Sequence, residues 1–527
     1  MIQELDNDQQ ACVNAREGVV IVVAGPGAGK TTVIVNRYVS LLEHGVSPDD
    51  ILSLTFTAEA AAEMASRVGA TNSKKVFRTF HSFVLDMMQK ERANIPFQLK
   101  PTILPFELED YELRTALVKR YPLIRRADDL KEYISNQKRL GIDPEKAGES
   151  SSGISRFFAD AYGDYERVSR SQGWLDFDSL MVEAVHLLET NAGVRARYAK
   201  KYIQVDEAQD TDPIQLKLLK LLFMGNIFFV GDQNQAIYEW RGASPDIMAN
   251  IPQIFPGAQI LYLGTNYRST GALVDFFKQI LPVDNGLASH MRTSNPTGEP
   301  PTFIHYADDY QEAMQVLRRV QDHPNTAIIA RTNRQLFRYQ QACFSANIKS
   351  KILGKKAFWE QNEIKKLLSL AKNTKFPEGY TAPMVLKALV IQHRLLETYK
   401  FSGNPLDSDP ADNINSLYKM SAKYGTIAEF LDFIRRLTYG SKSANTPCLT
   451  LSTVHQAKGK EWKNVFLVGV TEGILPHSKA THPEEKRIFF VGASRAAERL
   501  HVTCYRNPSM FLNDFKDKIE RYHPETV

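Results

Sequence analysis

The sequence predicts an α/β protein built from two parallel-sheet domains in tandem, each interrupted by a mostly helical insertion. Buried-type strands alternate with helical stretches in two separate blocks, which is typical of parallel sheets with helices on their faces. A chain of 527 residues is also too long for one core. The predicted strands are VVIVVA (19–24), ILSLTF (51–56), KYIQVDE (201–207) and NIFFVGD (226–232) in the first block, and QILYL (259–263), TAIIA (326–330), CLTLST (448–453), NVFLVG (464–469) and RLHVT (499–503) in the second.

A long, charged, helix-favouring stretch interrupts the first block and a shorter stretch interrupts the second, and each is predicted to be a mostly helical insertion. The first contains a GESSSG loop, and the second contains the turn-rich segments SGNPLDSDPADN and YGSKSANTP. The predicted boundaries are 1–84 and 191–258 for the first sheet domain, 85–190 for its insertion, 259–370 and 448–527 for the second sheet domain, and 371–447 for its insertion.

Composition and cysteine spacing exclude several classes of protein. The longest apolar runs are shorter than the ~18 residues of a membrane-spanning helix. Residues 1–8 are acidic and polar, whereas a secretory leader is basic and then apolar. The net charge of +5 is too small a bias to name a polyanionic partner. We expect a cytoplasmic protein without a membrane partner. No zinc knuckle or disulfide framework is indicated by the widely spaced Cys12, Cys343, Cys448 and Cys504.

A phosphate-binding loop is predicted directly after the first strand. AGPGAGKT fits the pattern G-x-x-x-x-G-K-[ST], with alanine in place of the first glycine. Small residues let backbone N–H groups and the following helix terminus point at phosphate oxygens. Lys30 would reach the β- and γ-phosphates, and the Thr31 hydroxyl would bind magnesium. A glycine-rich turn without a ligand is the alternative, against which the order of strand, loop, Lys-Thr and apolar helix argues. The predicted nucleotide-binding residues here are Ala24, Gly25, Pro26, Gly27, Ala28, Gly29, Lys30, Thr31 and Thr32.

Two adjacent acids end the predicted strand in YIQVDEAQD (202–210). A nucleoside triphosphatase needs a carboxylate on its metal ion and a group that orients the attacking water. Asp206 is the candidate magnesium ligand and Glu207 the candidate base. Paired acids at a strand end also occur as helix starts, but the phosphate-binding loop favours the catalytic interpretation.

Two arginines of the second block are candidates for the cations that meet charge developing on the γ-phosphate: Arg268 in TNYRS and Arg495 in FVGASRA. If they complete a site begun by the first block, closing the two domains on ATP and opening them after hydrolysis becomes a mechanical stroke. The sequence therefore predicts an ATPase that uses its nucleotide to move something.

Taken together, these segments resemble the superfamily 1 DNA helicases of the UvrD/Rep/PcrA family, whose motifs they match in order along the whole chain. The fold implied is two tandem RecA-like motor domains. LDNDQQACV is similar to the family's Q motif, whose glutamine, here Gln9, reads the adenine edge. The resemblance makes Tyr267 a platform stacked on adenine and Arg268 a γ-phosphate contact. It places Glu461 of GKEW at the ribose side and makes Arg495 a second arginine finger.

The string VGDQNQAIYEWRGA (230–243) is the most specific match to the family. The resemblance implies that Asp232 and Gln235 sense the γ-phosphate. It also implies single-stranded DNA contacts in TFTAEAAAEM, RTFHSF, this string and the later TVHQAKGKEW. The residues concerned are Phe56, Thr57, Thr79, His81, Tyr238, Trp240, Arg241 and His455.

The chain also departs from the family pattern. Thr32 stands where many relatives carry an arginine, and GKEW replaces the commoner G-L-E-F around Glu461. The second insertion is short, because only 185 positions (453 − 268) separate Arg268 from Thr453. The chain thus resembles a compact member of the family with a reduced second insertion.

The function implied is an ATP- and Mg²⁺-dependent translocase and helicase with 3′ to 5′ polarity, acting on single-stranded and duplex DNA. The alternative is a nucleotide-gated DNA-binding or sensor subunit of a nuclease or phage-defence complex that unwinds weakly alone. The short insertion motivates this alternative, in which a nuclease or other repair or defence protein is the partner. TFTAEAA and IYEWRGA argue against a 5′ to 3′ RecD-like helicase. An RNA track is the least favoured alternative.

Overall fold

The structure, a computed structural model, divides the chain into two compact units. Unit 1 comprises Met1–Tyr267 and Val283–Arg292, and unit 2 comprises Arg268–Pro282 and Thr293–Val527. Each unit contains one parallel sheet, which confirms the predicted class of two tandem α/β domains. The residues described are 4–69, 73–95, 107–239, 246–346, 348–353, 361–399, 410–439, 448–478 and 480–522.

The sheet of unit 1 has six strands, all parallel, in the order β3-β2-β4-β5-β1-β6. All six residues of β1 are buried, which explains the uninterrupted apolar run VVIVVA, since a strand covered on both faces has no solvent-facing positions. The strands are β1 Val19–Ala24, β2 Ile51–Thr55, β3 Phe77–Thr79, β4 Lys200–Val205, β5 Phe223–Gly231 and β6 Gln259–Leu263.

The strand β6 corrects one prediction. QILYL was assigned to the second domain, but it pairs in parallel with β1, with Ile21 opposite Ile260 and Ala24 opposite Leu263. The assignment to the second domain was wrong because the apolar pattern of a strand does not reveal which sheet the strand joins. The central strand β1 needs a neighbour on each side, and β6 is the one opposite β5.

Unit 1 carries helices on both faces of its sheet and in its insertion. In the insertion, the Lys138 side chain is 1% exposed and its Nζ contacts the carboxylates of Glu166 at 2.6 Å and Asp176 at 2.7 Å. These contacts join α7 (Ala127–Arg139), α9 (Ile154–Ser171) and the start of α10 (Phe177–Thr190). The helices are α1 Asn7–Asn14, α2 Lys30–Glu43, α3 Ala58–Val68, α4 Ser73–Val76, α5 Phe80–Lys90, α6 Glu107–Arg120, α7 Ala127–Arg139, α8 Pro144–Glu149, α9 Ile154–Ser171, α10 Phe177–Thr190, α11 Ala192–Tyr198, α12 Pro213–Leu222, α13 Ile247–Ile254 and α15 Leu287–His290.

The sheet of unit 2 has seven strands, all parallel, in the order β13-β7-β12-β11-β8-β10-β9. The second-block strands predicted after β6 occupy its centre, whereas the sequence analysis did not single out β7, β9 and β13. Two of these are three-residue edge strands, too short to show a pattern. The strands are β7 Thr302–Tyr306, β8 Thr326–Ala330, β9 Ser350–Ile352, β10 Leu449–Thr453, β11 Trp462–Val468, β12 Ala496–Tyr505 and β13 Ile519–Arg521.

The described part of the second insertion is helical and has its own apolar core, which includes Leu386, Leu389, Leu417 and Phe430. The helices of unit 2 are α14 Gly271–Gln279, α16 Asp309–Arg319, α17 Asn333–Ser345, α18 Asn362–Asn373, α19 Ala382–Gln392, α20 Leu395–Thr398, α21 Pro410–Ser421, α22 Ile427–Tyr439, α23 Val454–Ala457 and α24 His482–Ala493. Within the described ranges of both units, no helix is long and apolar enough to cross a membrane.

A buried carboxyl group, that of Glu312 in α16, makes the stability of unit 2 depend on pH. Its oxygens accept hydrogen bonds from Gly469 N–H at 2.9 Å and from the hydroxyls of Thr503 at 2.6 Å and Tyr339 at 3.0 Å. Burial raises the pKa of Glu312 from 4.5 to about 7, although these three donors oppose the rise. Between these pKa values the folded state holds a proton that the unfolded state has lost, so this group's contribution to stability falls as pH rises.

We expect Glu312→Gln to remove this pH dependence, because glutamine keeps the size of the side chain but does not titrate. The free energy of unfolding of the natural chain, relative to the variant, should fall between about pH 5 and about pH 7.5. Urea unfolding of both proteins at the two pH values measures the difference. Parallel changes in the two proteins would show that Glu312 does not titrate in this range.

Candidate active site

The predicted site residues of unit 1 follow the ends of four neighbouring strands. β1, β2, β4 and β5 are parallel, so their carboxyl ends lie at the same edge of the sheet, where α/β proteins bind ligands. The loop 25–29 follows β1, Phe56 follows β2, Asp206 follows β4 and Asp232 follows β5. The topology therefore gathers segments that are far apart in the sequence.

The loop 25–29 adopts a backbone conformation that favours glycine. Gly27 and Gly29 have φ angles of 67° and 77°, in the left-handed region that side chains disfavour. A Cβ atom on Gly29 would also lie 2.7 Å from Nε2 of Gln9. Lys30 begins α2, whose first turn carries no acidic residue. The free N–H groups and positive dipole of this helix end suit a bound phosphate.

The TNYRS segment holds this loop in place. Asn266 is 2% exposed and donates from Nδ2 to the Pro26 carbonyl at 2.8 Å. Tyr267 N–H donates to the Gly27 carbonyl at 3.0 Å. Both residues follow β6, whose pairing with β1 brings them to the loop. The sequence analysis missed Asn266 as a site residue, although its position directly before Tyr267 in TNYRS pointed to it.

Asp6 joins the two residues predicted to bind adenine. Its Oδ1 accepts from Gln9 N–H at 2.7 Å, capping α1, and its Oδ2 accepts from the Tyr267 hydroxyl at 2.5 Å. Gln9 donates from Nε2 to the Ala28 carbonyl at 3.3 Å, while the Tyr267 side chain is 45% exposed. Burial first, and then the Asp6 carboxylate, raises the pKa of Tyr267 and keeps its hydroxyl a donor. The sequence analysis missed Asp6, although an aspartate three residues before a glutamine is a capping signal.

Asp206 fits the predicted role of a magnesium ligand. It is 6% exposed, and its Oδ2 accepts from the Thr55 hydroxyl at 3.3 Å. Its Oδ1 is buried without a hydrogen-bond partner among the described residues. Burial, and then the charge of Glu207, raises the pKa of Asp206 to about 7, while Lys30 opposes the rise. A divalent cation would satisfy the buried oxygen and favour the carboxylate form, so the donor set of Asp206 with Thr31 fits magnesium.

A hydrogen-bonded chain connects the ends of β4 and β5. Gln209 donates from Nε2 to Glu207 Oε2 at 2.5 Å, and its Oε1 accepts from Asp232 N–H at 2.9 Å. Gln235 donates from Nε2 to Asp232 Oδ2 at 2.6 Å. Glu207 has a left-handed backbone with φ of 49°, a conformation uncommon outside glycine. The chain brings the candidate base and both candidate sensors together through Gln209, a residue the sequence analysis missed although it lies within VDEAQD.

Burial also changes the pKa of Asp232, a candidate γ-phosphate sensor. Asp232 is fully buried, and this burial raises its pKa, while the charge of Lys30 and the hydrogen bond from Gln235 oppose the rise. The charge of Lys30 lowers the pKa values of both Asp232 and Asp206, against the effect of burial. Thr32 accepts from Arg67 Nη1 of α3 at 3.4 Å, so a cation approaches the start of α2 although no arginine follows Thr31.

In unit 2, the structure brings Arg268, Arg495 and Glu461 together around Ser494. Arg268 donates from Nε to Glu461 Oε2 at 2.6 Å and from Nη1 to the Ser494 carbonyl at 2.9 Å. Arg495 donates from Nη2 to Ser494 Oγ at 2.8 Å and from Nε to the Val491 carbonyl at 2.9 Å. Arg495 is only 2% exposed. The contact of either arginine with a γ-phosphate remains a prediction.

The arginine group and His455 lie at opposite edges of the unit 2 sheet. Glu461 and Arg495 immediately precede β11 and β12, whereas His455 follows the carboxyl end of β10. β8 pairs in parallel with both β10 and β11. The amino ends of these strands therefore lie along one edge of the sheet, and their carboxyl ends lie along the opposite edge. His455 is 6% exposed, and its predicted contact with DNA is untested.

The candidate DNA-binding residues of unit 1 include an aromatic pair. Phe56 and Tyr238 stack with ring centroids 5.3 Å apart and planes 18° apart. His81 contacts the ring of Phe177 edge-on at 5.4 Å. The hydroxyls of Thr57 and Thr79 cap α3 and α5 by accepting from backbone N–H groups at 3.1 Å. The predicted DNA contacts Trp240 and Arg241 lie outside the described residues.

Comparison with known proteins matches both units to domains of one protein family. Residues 5–256 match the UvrD/REP helicase N-terminal domain, and residues 261–376 and 394–507 match the UvrD-like helicase C-terminal domain. The chain is 26% identical to the ATP-dependent DNA helicase PcrA of Staphylococcus aureus, with 99% of this chain and 88% of the relative covered. It is 25% identical to DNA helicase II of Salmonella typhimurium, with 98% and 88% covered.

The glycine-rich loop before Lys30, the buried Asp206 and the hydrogen-bonded chain from Glu207 to Gln235 follow parallel strands of one sheet, an arrangement typical of P-loop proteins. A second parallel-sheet α/β unit accompanies it, as in proteins with two tandem RecA-like domains. The family domains cover most of both units. The chain belongs to the UvrD-like helicase family.

Proposed function

We propose that this chain is an ATP-dependent DNA helicase that translocates 3′ to 5′ along single-stranded DNA. In this proposal ATP binds to the loop and strand ends of unit 1, and Arg268 and Arg495 of unit 2 engage its γ-phosphate. Closing of the two units on ATP, and their opening after hydrolysis, then moves the strand by about one base per cycle. The membership of the UvrD-like helicase family and the names of its relatives support this function.

The candidate γ-phosphate sensor of unit 1 lies close in the chain to an aromatic pair. Gln235, the candidate γ-phosphate sensor, is hydrogen-bonded to Asp232 and lies three residues before Tyr238, which stacks on Phe56. A change at the phosphate end of this segment is therefore transmitted through a few residues of backbone to an aromatic pair. Such aromatic faces bind bases without sequence preference, and so the segment suits the coupling of nucleotide to DNA.

The residues of unit 1 have separate tasks in hydrolysis. Lys30 and the N–H groups of loop 25–29 bind and neutralise the phosphates. Glu207, oriented by Gln209, accepts a proton from the attacking water. Thr31 and Asp206 would hold magnesium, which when bound neutralises charge on the β- and γ-phosphates.

Two assays on one preparation test the proposal. ATP hydrolysis should rise on addition of single-stranded DNA, and a duplex with a 3′ single-stranded tail should be unwound where one with a 5′ tail is not. Hydrolysis without strand displacement would instead support the nucleotide-gated DNA-binding subunit of a nuclease or defence complex. Absence of DNA-stimulated hydrolysis would contradict both functions.

We expect Tyr238→Ala to weaken binding of single-stranded DNA about fivefold to a hundredfold, because base stacking on an aromatic face is worth about 1–3 kcal/mol. ATP binding in the absence of DNA should change little, since the nucleotide contacts lie at other residues. Fluorescence anisotropy with a labelled oligonucleotide measures the affinity. Tyr238→Phe is the matched control and should bind normally.

Trp240→Ala should show the same loss of affinity for single-stranded DNA, and unchanged affinity would make Trp240 a packing residue.

A further inference from the structure

The counter-ion of Arg268 in unit 2 is a carboxylate. Glu461 accepts from Arg268 Nε at 2.6 Å, while the Ser494 carbonyl accepts from Nη1 at 2.9 Å. The Arg268 side chain is 11% exposed and that of Glu461 is 59% exposed. The arginine is thus packed in place, whereas its partner is open to solvent and free to leave.

A carboxylate and a phosphate compete for the same guanidinium. Both present oxygen pairs whose geometry matches the N–H groups of arginine, and both form charge-assisted hydrogen bonds with it. The Ser494 carbonyl is a neutral acceptor and holds a different nitrogen. Loss of Glu461 therefore removes the competing charge from Arg268 but leaves its hydrogen bond to the Ser494 carbonyl.

We propose that Glu461 is a positioning residue that holds Arg268 until a nucleotide phosphate replaces it. This inference rests on the proposed function, in which Arg268 contacts the γ-phosphate. In this proposal Glu461 of GKEW acts in unit 2 before ATP binds. This role does not require the ribose contact expected from the family resemblance. Each binding event then exchanges one ion pair for another, so Arg268 does not become exposed without a partner.

The expected effect is modest because Glu461 is more than half exposed and the pair is screened by water. We expect Glu461→Gln to lower the KM for ATP about twofold to fivefold, the range of a weak surface ion pair. The main change is in KM rather than in kcat, because the competing carboxylate opposes ground-state and transition-state binding alike. Direct titration with a fluorescent ATP analogue should show the same gain in affinity.

Two controls separate this role from a general change of charge. Glu498 of the same unit is also a half-exposed glutamate in an ion pair, with Lys463 at 3.1 Å, and Glu498→Gln should leave KM unchanged. In an Arg268→Lys background, the effect of Glu461→Gln should shrink, since a shortened and displaced cation no longer shares its site with the carboxylate. Should Glu461→Gln fail to fold, Glu461→Asp is the alternative variant. Its shorter side chain reaches Arg268 less well, so this variant should also lower KM.

The outcomes distinguish this inference from its alternatives. A raised KM in Glu461→Gln that disappears with 3′-deoxy-ATP would assign Glu461 to the ribose and overturn the positioning role. An undiminished effect of Glu461→Gln in the Arg268→Lys background would overturn it as well. Normal hydrolysis by Arg268→Ala would instead contradict the proposed function itself, because Arg268 would then not serve the γ-phosphate.

Discussion

Replacing Glu207 with glutamine is expected to lower DNA-stimulated kcat about 10²- to 10⁴-fold while ATP still binds, the range for loss of a positioned general base. Glutamine has nearly the same shape, but its amide cannot accept the proton of the attacking water. The carboxylate is not a main phosphate contact in the proposed function, which assigns those contacts to Lys30 and the loop. Turnover of ATP and binding of a fluorescent ATP analogue, measured on the same variant, separate the two effects.

Lys30→Ala provides the contrasting case. In the proposed function, loss of this ammonium removes a phosphate contact. It also removes a positive charge that lowers the pKa values of Asp206 and Asp232 and so favours their carboxylate forms. We therefore expect loss of both ATP binding and turnover. Robust hydrolysis by Glu207→Gln would show that another group activates the water.

Alanine at either Arg268 or Arg495 is the second change with a large expected effect, about 10³- to 10⁵-fold in kcat, as for other arginines that meet charge on a transferring phosphoryl group. Neither residue belongs to unit 1, so unit 1 should still bind ATP in both variants. Turnover at saturating ATP and DNA measures the loss. Retention of normal kcat by both variants would mean that unit 1 hydrolyses ATP without them.

The two arginine variants need a control for stability, because Arg495 is 2% exposed and hydrogen-bonded to the Val491 carbonyl. Its replacement leaves buried acceptors unsatisfied, at a cost of about 1–3 kcal/mol. Thermal unfolding of each variant reports that cost. Arg499, an exposed arginine of the same unit, is the matched control, and Arg499→Ala should hydrolyse ATP normally.

The sequence was sufficient to predict what local patterns encode. The strand before the phosphate loop, its glycines and the acids after β4 are each contained in a few consecutive residues, and parallel pairing then places them at one edge. The class of two parallel sheets followed from the same strands. Short-range patterns therefore predicted the fold class and the segments that meet at one edge of the unit 1 sheet.

Contacts between distant segments were not predictable in this way. The pairing of β6 with β1, the Asp6–Tyr267 hydrogen bond and the Arg268–Glu461 ion pair each join residues whose proximity depends on the whole fold. The positioning residues Gln209 and Asn266 were missed for the same reason, since an amide in a motif does not reveal which carbonyl or carboxylate it will meet.

The central claim is that one nucleotide engages both units, and the distance between the units during the cycle tests it most directly. Dyes can be placed at the exposed residues Asn14 of unit 1 and Glu498 of unit 2 by introducing cysteines, with Cys448, the partly exposed natural cysteine, replaced by serine. Energy transfer between the dyes is then measured with and without a non-hydrolysable ATP analogue. We expect the analogue to shorten the distance in the otherwise unaltered chain and not in the Arg268→Ala, Arg495→Ala double variant. An unchanged distance at saturating analogue, or the same shortening in the double variant, would contradict the account.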